Sequence, residues 1–182
     1  MIILASSSPR RRELLTTAGV EFKIAVSDVE EVLNPALSPA EAAIDVACQK
    51  ARAVAKEYPL DCVVGADTIV LLDGVILGKP KDEAQAAEML GQLSGKTHTV
   101  YTGVCVIKDG KENCFAEATQ VEFYELTADE IDAYVTSGEP MDKAGAYGIQ
   151  GLGCLLVKRI EGDFFNVMGF PVARVVRAIR IR

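Results

Sequence analysis

MIILASSSPRRRELLTTAG, residues Met1–Gly19, decides the fold class of this chain. Met1–Ala5 is a short unbroken apolar run, as in a strand buried on both faces, and the residues behind it supply what a helix start requires. Ser8 can act as N-cap, Pro9 suits the first helical position, and Gly19 suits the stop. A strand, a serine-rich loop and a helix in that order open an α/β protein. The densest positive cluster of the chain, Arg10-Arg11-Arg12, falls in the first turn of that helix, where the helix dipole prefers anions. The charges become useful if an anion with several oxygens, such as a triphosphate, sits at the loop, because helix N-terminal N–H groups and guanidinium forks both match phosphate oxygens. The plainer alternative is a solvated helix face.

Working outward, VEFKIAV (20–26) reads as a second strand, and SDVEEVLNP (27–35) as an acidic loop. Ser38-Pro39-Ala40-Glu41 is a capping box, and apolar residues recur at helical spacing through Tyr58. DCVVGADTIVLLDGVILGKP (61–80) holds two strands turned at Asp73-Gly74, with GAD (65–67) expected to interrupt the first. A helix follows over 82–95, then a long hairpin around Asp109-Gly110 and a helix opened by the capping box Thr127–Glu130. After a glycine-rich loop come a strand at CLLVKRI (154–160), a loop, and a helix from Pro171. Strands and helices interleave without repeats, which predicts a mixed sheet in one cooperative domain spanning residues 1–182.

The chain has 182 residues, a net charge of −7 and a pI near 4.8. That balance argues against a nucleic-acid or acidic-membrane binder, which needs a broad basic face, but leaves room for a small anionic ligand. The five cysteines, Cys48, Cys62, Cys105, Cys114 and Cys154, are widely spaced without a CxxC, so spacing indicates neither a disulfide framework nor a zinc site. Buried, reduced thiols are the expected state. No apolar run approaches membrane-spanning length, and the arginines follow the first apolar segment rather than precede it, so a cytoplasmic protein is expected.

Asp67, between Gly65 and Thr68 near the end of an apolar strand, lies where open α/β sheets place ligands, and reads either as a turn residue or as a metal ligand or base. Glu30 and Glu31 are either solvated or part of a Mg²⁺ or Mn²⁺ site beside a phosphate. Lys50 and Lys79 are single cations, and glycine and proline fix the backbone on either side of Lys79. LGQLSGKT (90–97) nearly spells a phosphate-binding P-loop but follows a helix and precedes a strand, the reverse of what that loop needs. The glycines of AGAYGIQGLG (144–153) suggest a loop whose backbone approaches a ligand. His98 has no partner at ligand spacing and reads as structural, which leaves metal-activated water as the economical route to hydrolysis.

Together, LASSSPRRREL (4–14), DVEE (28–31), QKA (49–51), VGADTIV (64–70), LGKP (77–80), LSGKTHTVYTG (93–103), DKAGAYGIQG (142–151) and GDFFNVMGFP (162–171) resemble the Maf family of nucleoside triphosphate pyrophosphatases. The resemblance implies an inosine-triphosphatase-like fold, with an elongated mixed sheet flanked by helices and two lobes around a central cleft. It implies a dimeric enzyme, dependent on Mg²⁺ or Mn²⁺, that cuts between the α and β phosphates. KAGAYGIQG (143–151) is similar to the dTTP/UTP branch rather than the 7-methyl-GTP branch. Carried onto this chain, the resemblance makes Asp67 the proton acceptor and metal ligand, with Glu31 as the second metal ligand. Arg10, Thr68 and Gln150 fall at specificity positions, Arg11, Lys50 and Lys79 at active-site cations, and Ser7 within reach of a phosphate oxygen. The remaining alternatives are a nucleotide-binding regulator of septum formation and a pyrophosphatase for 7-methyl-GTP or modified purines.

Overall fold

The computed structural model describes residues 1–26, 29 and 31–180. Ser27, Asp28 and Glu30, and with them half of the Glu30-Glu31 pair, lie outside the described residues. The described residues form a seven-stranded mixed sheet with helices, its strands ordered β2-β1-β3-β5-β6-β7 and β4 paired to β3. The strands are β1 (Ile2–Leu4), β2 (Lys23–Ile24), β3 (Cys62–Leu72), β4 (Val75–Leu77), β5 (Thr97–Lys108), β6 (Lys111–Phe123) and β7 (Val157–Glu161). The helices are α1 (Pro9–Thr17), α2 (Pro39–Ala55), α3 (Glu83–Leu93), α4 (Ala128–Thr136), α5 (Phe164–Val167) and α6 (Val172–Arg180). Contacts divide the chain into two compact units, residues 1–68, 102–117 and 169–182 in the first, 69–101 and 118–168 in the second.

In the first unit β1 runs parallel to β2 on one side and to β3 on the other, with Leu4 opposite both Ile24 and Val64. α1 connects β1 to β2 and α2 connects β2 to β3, so the strand order reverses at β1 and leaves a switch point at its carboxyl end. α2 is fixed at its start by the expected capping box, in which Ser38 Oγ accepts from Glu41 N–H while Glu41 accepts from Ser38 N–H at 3.0 Å. Its buried stripe is mostly small: Ala42, Ala43, Ala47, Cys48 and Ala51. Small residues on the helix meet glycines on the sheet. A Cβ at Gly65 would lie 2.4 Å from the Ala47 carbonyl oxygen, and one at Gly103 would lie 2.2 Å from the Ala43 backbone. α2 therefore rides directly on the strand backbones.

The second unit is built on α3 and α4, which pack together with the 3₁₀ turn Ala144–Ala146 around Leu90, Leu93, Val100, Val121, Phe123 and Tyr147. His98 is buried among them; its ring lies edge-on to Phe123 and Tyr147, and Nε2 is 2.7 Å from the Tyr147 hydroxyl.

Five local expectations change. β3 runs unbroken through Gly65-Ala66-Asp67, because Gly65 answers to the proximity of α2 rather than to a turn, and Asp67 thus sits inside the strand. Ser8 occupies the N-cap position of α1 without a side-chain cap bond; its own N–H donates to Ser6 Oγ at 3.2 Å. Cys154 and Leu155 lie in a 3₁₀ turn and β7 begins at Val157, while the loop before Pro171 contains α5. The glycines of 144–153 serve packing inside the loop: the Glu139 carboxylate accepts from Leu152 and Gly153 N–H, and a Cβ at Gly151 would collide with it.

Replacing Gly103 by alanine is expected to destabilise the fold by about 3 kcal/mol, since the neighbour is helix backbone and cannot rotate away. Thermal unfolding should shift down by roughly 10 °C, and an unchanged midpoint would show that α2 is not pinned there.

Burial pushes the pKa of His98 down to about 4, whereas the unfolded chain ionises near the usual value of about 6.5. Between those values the unfolded state binds a proton that the native state refuses, so stability falls as pH drops through this window and levels off below it. The expected slope is about 1.4 kcal/mol per pH unit at most; it should be absent from His98→Gln and so appear in the difference between wild type and this variant in denaturant titrations.

Candidate active site

The strand period sends neighbours on β3 to opposite faces, and this sorts the candidate residues into two groups. Asp67 shares the face of Gly65, against α2. One turn of α2 separates Ala47 from Lys50 and Ala51, so the helix that crowds Gly65 also delivers Lys50 to Asp67, with Nζ 2.7 Å from Oδ1. The same ammonium reaches Glu31 Oε1 at 2.9 Å. Lys50 and Asp67 are each 15% exposed at the side chain, Glu31 55%. Asp67 lies three residues beyond Val64, the partner of Leu4, so the cluster stands past the carboxyl end of β1, at the switch point.

Gln49 holds Val32 against the helix. Its amide accepts from Val32 N–H at 3.2 Å and donates to the Val32 carbonyl at 3.0 Å, with a further bond to Asp45 at 2.8 Å. Glu31 is thereby kept beside the residue next to Gln49, which is Lys50. The sequence reading missed this role, although Gln49 stood inside the QKA motif.

The second group gathers on Arg11. Arg11 is buried, and its guanidinium donates from Nε to the Gly169 carbonyl at 2.8 Å, from Nη1 to the Ala66 carbonyl at 2.8 Å and Ser6 Oγ at 3.1 Å, and from Nη2 to Thr68 Oγ1 at 3.2 Å. Thr68 Oγ1 also pairs with Thr102 Oγ1 at 2.9 Å. Burial lowers the Arg11 pKa from the usual guanidinium value, opposed by the charge of Asp67. Four of its five N–H donors are spent, so Arg11 differs from the expected open cation: it ties the loop after β1 to the middle of β3 and to Gly169. Ser6, Thr102 and Gly169 were not singled out in the sequence. Gly169 has φ +97°, and a Cβ there would stand 3.1 Å from Thr68 Oγ1.

The other candidates are placed as follows. Ser7 and Arg12 are exposed and Arg10 is half-exposed, all at the loop and first turn of α1. Lys79 and Gln150 belong to the second unit, Lys79 exposed in the groove between β4 and α3, Gln150 half-buried at the head of the 3₁₀ turn Gly151–Leu155. The near-P-loop lysine, Lys96, pairs with Asp73 at 2.9 Å. Cys48, Cys62 and Cys105 are buried, but Cys114 and Cys154 are exposed, contrary to the expectation of five buried thiols. Among the described residues no helix is long and apolar enough to cross a membrane.

The family model described as Maf-like protein matches residues 1–181. Curated relatives named dTTP/UTP pyrophosphatase from Bacillus cereus (strain AH820) and Bacillus anthracis are each 55% identical over 98% of this chain and 94% of their own length. Among solved structures, a HAM1 protein from Coxiella burnetii matches with a TM-score of 0.49 and 18% identity, over 69% of this chain and 73% of its own. With a match along nearly its whole length and more than half of its residues shared with those relatives, the chain belongs to the Maf family.

Proposed function

We propose that this chain hydrolyses nucleoside triphosphates, dTTP and UTP foremost, between the α and β phosphates, releasing a nucleoside monophosphate and pyrophosphate. The observation that carries the reading is the cluster in which Glu31 and Asp67 share the Lys50 ammonium at the switch point of the sheet. The substrates follow from the names of the curated relatives. The proposed setting is a homodimer acting in the cytoplasm and removing unwanted or modified pyrimidine nucleotides.

The donor set fits a hard divalent cation. Two carboxylates already converge on one positive charge, and Mg²⁺ or Mn²⁺ binds through one or two carboxylates with phosphate oxygens and water filling its remaining positions. Glu31 and Asp67 would hold it, and when bound it neutralises phosphate charge and lowers the cost of deprotonating water. Lys50, released from the carboxylates, is then placed to meet a phosphate oxygen. Asp67 accepts the proton of the attacking water as the new P–O bond forms and the bridging P–O bond breaks, with pyrophosphate leaving.

Arg11 acts by position: it fixes Thr68 and the Ala66 carbonyl on either side of Asp67 and adds a buried positive charge. Ser7 and Arg10, at the opening of α1, are assigned to phosphate and nucleotide contacts, and Lys79 to a phosphate oxygen. Gln150 carries an amide that can pair with the O4 and N3–H edge common to uracil and thymine, with Thr68 as a further specificity position.

A nucleotide panel with Mg²⁺ or Mn²⁺ is expected to give monophosphate and pyrophosphate from dTTP and UTP, with Asp67→Asn slower by about 10²–10⁴-fold in kcat. Turnover by Asp67→Asn at the wild-type rate would remove the proposed base. Nucleotide binding without turnover by the wild type would favour a binding regulator.

Gln150→Ala is expected to lower kcat/KM for dTTP and UTP by about 10–200-fold while leaving the metal requirement intact. Equal losses across all nucleotides would show that Gln150 does not read the base.

A further inference from the structure

The thiols that spacing left unconnected meet in space. Cys48 on α2, Cys105 on β5, and Glu112 and Cys114 on β6 each bring one ligand atom within 4.8 Å of the others. Cys48 Sγ and Cys114 Sγ are 3.3 Å apart. Hairpin geometry explains half of this: counting outward from the Asp109-Gly110 turn sets Cys105 opposite Cys114, and the strand period puts Glu112 on the same face as Cys114. The approach of α2 at Gly103 explains the rest, since it lowers Cys48 onto that face.

We propose that Cys48, Cys105, Cys114 and Glu112 form a binding site for one thiophilic divalent cation of the zinc type. Three sulfurs and one carboxylate oxygen make a four-donor tetrahedral set. Zn–S bonds of about 2.3 Å require sulfurs about 3.8 Å apart, so the observed cluster closes around the ion with shifts of about an ångström or less. On binding, each thiol gives its proton to solvent and the sulfur donates a lone pair to the metal. Arg52 grips both Glu112 oxygens, Nε to Oε1 and Nη2 to Oε2, each at 2.7 Å. A carboxylate oxygen has a second lone pair, so Arg52 orients Glu112 without blocking it and offsets part of the negative charge. Cys48 and Cys105 form a buried floor, and the exposed Cys114 and Glu112 form the entrance.

This site is separate from the Glu31–Asp67 pair and does not rest on the proposed hydrolysis. Its donors are soft sulfurs rather than hard oxygens and select a different class of metal. The bound ion fastens α2 to the β5-β6 hairpin.

The test titrates reduced, metal-free full-length protein with Co²⁺ and then Zn²⁺. One Co²⁺ per chain should bind with a thiolate-to-cobalt charge-transfer band in the near ultraviolet, displaced by Zn²⁺, and Zn²⁺ should raise Tm. Cys114→Ser, at an exposed position, should weaken binding at least tenfold, whereas Cys154→Ser should leave it unchanged. The band should persist in Asp67→Asn, which removes a competing oxygen site and separates this outcome from the fate of the hydrolase reading. Absence of the band, or its survival when Cys48→Ser and Cys114→Ser are combined, overturns the proposal. So does a protein whose thiols do no more than oxidise to a Cys48–Cys114 disulfide while the reduced form takes up no metal.

Discussion

The contact of α2 with two glycines is the constraint from which the site follows. At Gly65 and Gly103 the helix lies so near the sheet that a single methyl group on either strand would overlap helix backbone or the Ala51 side chain. Glycine in a strand interior costs conformational entropy and gives up packing, which is repaid here by what the approach allows. Lys50 leaves α2 at a height from which its ammonium reaches a carboxylate two residues along from Gly65, and Cys48 leaves the same helix toward Cys105. A helix riding one side chain higher would deliver neither.

The Arg11 network addresses a different difficulty, that of holding a cation out of water in the first turn of a helix, where the dipole repels it. Arg12, its neighbour, stays solvated. Arg11 instead turns inward and replaces water with two backbone carbonyls and two hydroxyls. Among the described residues it has no ion-pair partner in direct contact; a charge buried in that way survives only if its donors are satisfied, and the fork of a guanidinium can do that where an ammonium cannot. The result is a rigid brace across the loop after β1, the middle of β3 and Gly169, all of them beside Asp67. Lysine could not replace it.

How much of this the sequence disclosed depends on how local each cause is. The capping boxes at Ser38 and Thr127, the two Asp-Gly turns and the helix from Pro171 are written within a few residues, and each stands where the pattern put it. The continuity of β3 through Gly65 was hidden because a glycine marking a break and a glycine admitting a helix look alike until the helix is in place. Residue type and motif pointed to Glu31, Lys50 and Asp67, but the clamp by Gln49 on Val32 depends on how a loop returns to a helix, which no spacing encodes. The thiol cluster failed for the same reason: its members sit on three elements and share only a face.

The charges near Asp67 bear on how the proposed site would take up its ligands. Among the described residues, Glu31 and Asp67 face Lys50 directly, and the charges of both carboxylates and of Arg10 also act on Arg11, so acids and cations are interleaved in a partly desolvated space. Ion pairs of this kind hold only while each partner is matched. On the proposed reading Glu31 and Asp67 would hold a divalent cation, which would leave Lys50 without its acid partners and add positive charge to the site. A polyphosphate would answer those positive charges, and under the proposed hydrolysis its contacts would strengthen as charge shifts toward the leaving pyrophosphate. On that reading the lysine would have two roles from one position, the counterion seen here and a phosphate ligand once the carboxylates are engaged, and it is the closeness of α2 to the sheet that sets it there.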